Sequence, residues 1–137
     1  MSDAPREQVF VYGTLKRGFC NHALLAEAEF IGEAVTVARY GFYAGPDAYA
    51  LGDAAIPFLY HKPADADPAV VVHGEVFALT HSTLAELDRL EGHPDWYHRE
   101  RLRIRLDDQR ELEVWGYLMP GLPRADLRVL DKGVFGP

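Results

Sequence analysis

Apolar and polar residues alternate or run together over six stretches of the chain, a pattern typical of β-strands. Glycines at 32 and 41 interrupt the longest stretch, and we expect bends there, as in long strands of a sheet that curls. Pro57 has no backbone donor, which restricts its strand to a sheet edge or a bulge. The predicted strands span residues 9–12, 29–44, 55–60, 70–79, 96–106 and 111–118.

One stretch has the periodicity of an amphipathic helix. Residues 80–91 carry leucines on one face, and Gly92 followed by Pro94 ends the pattern. Thr83 and Glu86 have the spacing of a capping box at the start of the helix.

The last two predicted strands form a hairpin around a polar turn at residues 107–110. Many strands with one good helix and one short one predict an α+β fold built on a mostly curled sheet. We expect one domain over residues 1–137, with a flexible segment at 1–7 and an irregular tail over about 120–137.

Composition narrows the class of protein. The 137 residues include 14 Lys and Arg against 21 Asp and Glu, a net charge of -7, so neither nucleic acid nor an anionic membrane is an expected partner. The start of the chain has no secretory signal, and no apolar run is long enough to span a bilayer. With a single cysteine, a soluble cytoplasmic protein is expected. The six histidines lack metal-ligand spacing, so no metal is predicted.

Residues 9–18, with the sequence VFVYGTLKRG, join a predicted buried strand to a glycine-led turn. Asn21 can cap a short helix over residues 22–25. Backbone N–H groups exposed between a strand end and a helix start can bind an anion or a carboxylate. A plain exit from strand to loop fits the same pattern.

Glu91 is the carboxylate that the pattern singles out for chemistry. It follows Leu87 by four residues, which places it on the inward face, and it lies in the last helical turn. Burial and the negative end of the helix dipole are both expected to raise its pKa toward the range of a general acid or base. The structural alternative is a glutamate bonded to Tyr97 or Arg99, with Asp88 as the competing carboxylate.

Gly74 and Glu75 interrupt an apolar strand. The glycine can mark a close approach of another backbone, or the glutamate can simply face solvent.

Three motifs in register resemble the gamma-glutamylcyclotransferase-like (AIG2-like) family. The resemblance extends from residue 9 to about residue 117. The motifs are residues 9–18 with Asn21 and His22, residues 74–77, and residues 87–92 followed by residues 97–99.

This resemblance implies a small barrel flanked by a few helices, with a cavity at one end. Members of this family cyclise a gamma-glutamyl group to 5-oxoproline and release a free amine, and they use no cofactor or metal. By position, Glu91 matches the family's catalytic glutamate, which acts as general acid and base. The loop that begins at Tyr12 matches the family's loop that binds the glutamyl moiety through backbone N–H groups. The residues that the resemblance assigns to substrate binding are Tyr12, Gly13, Thr14, Leu15, Tyr97 and Tyr117.

Several alternatives stay open. The chain could be an acyl-transfer relative, a binding protein for a small carboxylate, or a structural barrel in which Glu91 pairs with Arg99. The inserted residues 93–96 affect the shape of the cavity mouth, and the amine leaving group is not identified. We expect a small-molecule substrate and a monomer or weak homo-oligomer.

Overall fold

The computed structural model describes residues 6–13, 25–46, 55–124 and 127–135. All six predicted strand stretches contain strands, and the longest divides at its second glycine into two. The elements, in chain order, are β1 (Arg6–Val11), β2 (Glu29–Thr36), β3 (Gly41–Pro46), β4 (Ala55–Tyr60), β5 (His73–Thr80), α1 (His81–Glu91), β6 (His98–Leu106), β7 (Glu111–Leu118) and β8 (Arg128–Val129).

Five strands form a small barrel in the order β1-β5-β2-β6-β7. All neighbours are antiparallel except β1 and β7, which close the ring through one parallel pair, Val9 with Trp115. The register of β2 shifts between Phe30 and Gly32, at the first predicted bend, and β2 passes from β5 to β6. The α+β class with a strongly curled sheet is therefore confirmed, with one α-helix in the described ranges.

A second sheet, in the order β4-β3-β8, lies beside the barrel. β4 is an edge strand, as Pro57 requires. The prediction of a wholly irregular tail is wrong at β8, where Val129 pairs with Tyr43, and Phe135 is buried in the core. Two residues of strand are too short for a periodic pattern, and only the edge of β3 gives them a partner.

The amino terminus also differs from the expectation. β1 begins at Arg6, which pairs with Thr80, so the ordered strand includes the last two residues of the segment predicted to be flexible. Residues 22–24 of the predicted short helix lie outside the described ranges, and Leu25 is buried.

Helix α1 begins one residue after its cap. The Thr80 side chain accepts from the backbone N–H of Thr83, so the proposed capping box at Thr83 is wrong. Gly92 adopts the left-handed conformation with φ of 68° and donates its N–H to the last turn, as predicted for the helix end. Leu84 and Leu87 are buried beneath the helix. This fixes Glu91 at the end of α1 with its backbone beside the barrel.

The core has two parts. One fills the barrel interior, with Phe10, Val76 and Ile104 among its fully buried members. The other lies under α1 and the second sheet and includes Leu87 and Tyr117. No helix in the described ranges is long and apolar enough to cross a membrane.

Gly74 marks the close backbone approach that its sequence allows. A Cβ there would lie 2.4 Å from the backbone oxygen of Val11 and 2.7 Å from the ring of Phe10. The backbone oxygen cannot move without disturbing β1, so a side chain at this position strains the barrel.

We therefore expect Gly74→Ala to lower the free energy of unfolding by about 1–3 kcal/mol. Gly32→Ala is the matched control, because its Cβ would only meet Leu106 at 3.5 Å. Urea denaturation of both variants measures the difference. Equal stabilities for the two would contradict the packing of β5 on β1.

Candidate active site

Glu91 closes helix α1 with a carboxyl that is largely removed from water. Its burial raises the pKa of the carboxyl from 4.5 to about 7. Among the described residues, no hydrogen bond or ion pair holds the carboxyl group. The chain then turns at Gly92 and doubles back, so the backbone N–H of Tyr97 donates to the Glu91 carbonyl at 3.2 Å. Burial thus raises the proton affinity of this carboxyl without any counter-charge.

Three buried tyrosines from separate parts of the fold meet beside this carboxyl. Tyr12 follows β1, Tyr97 precedes β6, and Tyr117 lies in β7. Burial is the largest cause of the raised pKa of Tyr12 and of Tyr117, and the negative charge of Glu91 adds to both shifts. Tyr117 also bonds to Asp88, which lies one helical turn before Glu91 on the same face of α1, so its hydroxyl lies at the end of the helix that carries Glu91. Three of the predicted substrate-binding residues are therefore brought together.

Each tyrosine hydroxyl donates to a nearby acceptor. Tyr12 donates to the backbone oxygen of Tyr117 at 2.5 Å, and Tyr97 donates to the backbone oxygen of Pro57 at 2.6 Å. Tyr117 donates to Oδ1 of Asp88 at 2.7 Å. These bonds join β1, β4, β7 and α1 around one end of the barrel.

Asp88, and not Glu91, is the partner of Arg99. The Arg99 guanidinium lies 3.5 Å from Oδ2 of Asp88 and stacks over Trp115, with 4.5 Å from its central carbon to the ring centroid. The alternative in which Glu91 is bonded to Tyr97 or Arg99 through its carboxylate is therefore not what the structure shows. The arrangement pairs Asp88 with a cation and leaves Glu91 without a partner among the described residues.

The predicted glutamyl-binding loop is only partly described. Gly13 is buried against Pro57, and a Cβ at Gly13 would lie 2.4 Å from the proline Cγ. A side chain at Gly13 would therefore displace the strand whose carbonyl holds Tyr97. Thr14 and Leu15 lie outside the described ranges.

Sequence reasoning missed one contributor to the site, Pro57, and left the partners of another, Asp88, open. The role of Pro57 comes from its carbonyl, which no side-chain pattern reveals. Asp88 bonds across 29 residues to Tyr117, although its position three residues before Glu91 is a signal that both share a helix face.

A separate depression of about 300 Å³ lies on the other side of Asp88 and Arg99. Several of its polar groups are paired with one another: Glu7 accepts from Trp115 Nε1 at 2.9 Å and contacts His81 Nε2 at 2.8 Å. Glu91 does not line it, so we do not assign the candidate chemistry to this depression. In the described ranges, no group of three or more His, Cys, Asp or Glu side chains is placed to hold a metal ion.

A carboxyl whose burial raises its pKa to about 7, at one end of a small barrel and beside buried hydroxyls, is a candidate acid–base site. A family model described as gamma-glutamyl cyclotransferase, AIG2-like, matches residues 9–135. The chain belongs to this family and is an enzyme of the gamma-glutamylcyclotransferase type.

Relatives from distant organisms agree with this assignment. A Methanocaldococcus jannaschii protein, provisionally named a gamma-glutamylcyclotransferase, is 36% identical over 115 residues that cover 83% of this chain and 85% of the relative. The human gamma-glutamylaminecyclotransferase is 38% identical over 102 residues, covering 74% of this chain and 64% of the relative. A crystal structure of a mouse AIG2-like protein superposes with a TM-score of 0.73 at 25% identity, covering 93% of this chain and 87% of the mouse chain.

The raised pKa of Glu91 makes a prediction for stability. At pH 4 the carboxyl is mostly protonated in both the folded and the unfolded state, so its burial lowers the free energy of unfolding only slightly. As the pH rises from 4.5 to about 7, the unfolded state ionises first and stability is lost. We therefore expect Glu91→Gln to raise the free energy of unfolding by up to about 3 kcal/mol at pH 8 and by little at pH 4.

Urea denaturation at the two pH values tests this expectation. Glu86→Gln is the matched control, because Glu86 is exposed on the same helix and its replacement should change little at either pH. A stability gain for Glu91→Gln that is equal at both pH values would show that ionisation is not its cause.

Proposed function

We propose that this enzyme cyclises a gamma-glutamyl amine or peptide to 5-oxoproline and releases the free amine. The observation that carries the proposal is the largely buried carboxyl of Glu91, whose pKa is raised by burial to about 7 and which has no partner among the described residues. The names of the curated relatives support the reaction class. A single carboxyl of this pKa can both accept and return protons at neutral pH.

The proposed reaction uses the substrate's own nitrogen as the nucleophile. Glu91 accepts a proton from the α-ammonium group, and the neutral amine attacks the γ-carbonyl carbon. The new carbon–nitrogen bond closes the ring as the bond to the departing nitrogen breaks. In all, the ring nitrogen loses two protons and the departing amine gains two, so Glu91 carries a proton in each direction twice.

Positioning supplies the remainder of the proposed rate enhancement. We place the substrate beside the buried tyrosine cluster and Gly13, held in a folded, near-attack conformer. We assign the glutamyl moiety to the loop formed by Tyr12, Gly13, Thr14 and Leu15, with Tyr97 and Tyr117 as further substrate-binding residues. The reaction requires no cofactor, since both the nucleophile and the proton carrier are present.

The cellular setting is also part of the proposal. We place the enzyme in the cytoplasm, since the single cysteine of the chain cannot form an internal disulfide. Its partner there is a small gamma-glutamyl compound.

The test is release of 5-oxoproline from a panel of gamma-glutamyl amino acids, gamma-glutamyl-ε-lysine and gamma-glutamyl peptides. We expect turnover by the wild type and a fall in kcat of about 10²–10⁴-fold in Glu91→Gln, because the amide cannot carry a proton. Glu86→Gln should retain wild-type turnover.

Other outcomes assign other functions. If no substrate turns over but a gamma-glutamyl compound raises the Tm of wild type and Glu91→Gln alike, the protein is a binding protein for that carboxylate. If the gamma-glutamyl group is transferred to an added amine, the protein is an acyl-transfer relative. Full activity in Glu91→Gln would contradict the assigned role.

A further inference from the structure

The three hydroxyls of the tyrosine cluster donate their protons to acceptors other than the Glu91 carboxyl. A hydroxyl has one proton, and a backbone carbonyl has none to give. The bonds from Tyr12 and Tyr97 to carbonyl oxygens therefore fix those two hydroxyls as donors. Tyr117 likewise donates to a carboxylate oxygen of Asp88. Because each proton is already donated, any further hydrogen bond to one of these hydroxyl oxygens is one that the oxygen accepts.

Asp88 is the acceptor in this set that belongs to a side chain. It lies one turn before Glu91 on α1, and Arg99 holds its second oxygen at 3.5 Å. A tyrosine hydroxyl otherwise rotates to suit its surroundings. Asp88 therefore decides which way the proton of Tyr117 points.

We propose that Asp88 is a positioning residue that holds the Tyr117 hydroxyl proton away from Glu91, so that Tyr117 offers a lone pair to a cationic ammonium group in the site. The identity of that cation as the α-ammonium of the substrate rests on the proposed function. The orientation of the Tyr117 hydroxyl is independent of the proposed function.

The arrangement has two chemical consequences. Because Tyr117 does not donate to Glu91, the ionised carboxylate gains no hydrogen bond from it and remains a strong base for its surroundings. The tyrosine lone pairs and the carboxylate together attract a cation. The three hydroxyls act toward that cation only as acceptors, because their protons are donated elsewhere. This selects an ammonium group next to Glu91 and directs the carboxylate end of a substrate elsewhere.

The charged and titratable groups around Glu91 come from several elements. Tyr12 and Tyr117 face it from the barrel, Tyr97 from the segment after the helix, and Asp88 from α1 itself. Arg99 lies behind Asp88, and Nδ1 of His93 accepts from the Arg99 backbone at 3.0 Å.

The test measures the pKa of Glu91 directly, by carbon-13 NMR titration of its carboxyl group in the whole protein. In Asp88→Ala the Tyr117 hydroxyl is free to donate to Glu91, and we expect the pKa to fall by about one pH unit. Asp88→Asn keeps an acceptor oxygen and should preserve the wild-type value. The double variant Asp88→Ala with Tyr117→Phe should also restore it.

The pKa of Glu91 in Tyr117→Phe tests the proposal even if Asp88→Ala does not fold. If Asp88 holds the proton away, the pKa of Glu91 stays within about half a pH unit of wild type. A rise of about one unit would show that Tyr117 already donates to Glu91, and it would overturn the proposal. An unchanged pKa in folded Asp88→Ala, or a fall that persists without the Tyr117 hydroxyl, would overturn it equally.

A kinetic measurement separates this inference from the proposed function. If the wild type releases 5-oxoproline, we expect Tyr117→Phe to raise KM about tenfold, as for a lost hydrogen bond to a charged group, with a smaller change in kcat. An unchanged KM overturns the ammonium contact while the reaction itself stands. If no substrate turns over, the NMR titration still confirms or overturns the role of Asp88.

Discussion

The site depends on one unfavourable interaction, the burial of a carboxyl group without a partner. In water Glu91 would be ionised at neutral pH, whereas its place at the end of α1 brings its pKa to about 7. The fold must supply the free energy that keeps this group in place, because nothing in the described ranges pairs with it. That free energy comes from the core cluster beneath α1, which holds the helix against the barrel through Leu84 and Leu87.

Two of the carboxylates of α1, Asp88 and Glu91, lie in different environments that suit different roles. Asp88 and Glu91 are three residues apart and so share one face of the helix. Asp88 is bonded to both Tyr117 and Arg99, which makes it a fixed part of the frame. Glu91 has no such partner in the described ranges, which suits the proton exchange that we propose for it. Carboxylates placed in different environments are the usual way in which one site combines structural and acid–base roles.

Sequence patterns were sufficient for local features and for motifs that are contiguous in the chain. The strand over Ala55–Tyr60 and the end of α1 at Gly92 follow from side-chain pattern and turn chemistry, and the structure confirms both. The inward placement of Glu91 follows from helical spacing. β8 could not be predicted, since its two residues gain their conformation only from pairing with Tyr43 and Ala44. The tyrosine bonds likewise depend on tertiary contacts, two of them with backbone carbonyls.

The separation of Glu91 from Arg99 also explains why the site can be both stable and reactive. A direct ion pair between them would lower the pKa of Glu91 and remove its capacity to hold a proton at neutrality. Arg99 is instead engaged by Asp88 on one side and by the ring of Trp115 on the other, and β6 fixes its backbone. Arg99 thus stabilises Asp88, which positions Tyr117. The negative charge of Asp88 offsets the positive charge of Arg99, so Arg99 has little effect on the pKa of Glu91. The proposed catalysis by a single glutamate requires this arrangement, because the same group must be basic enough to take a proton and acidic enough to return it.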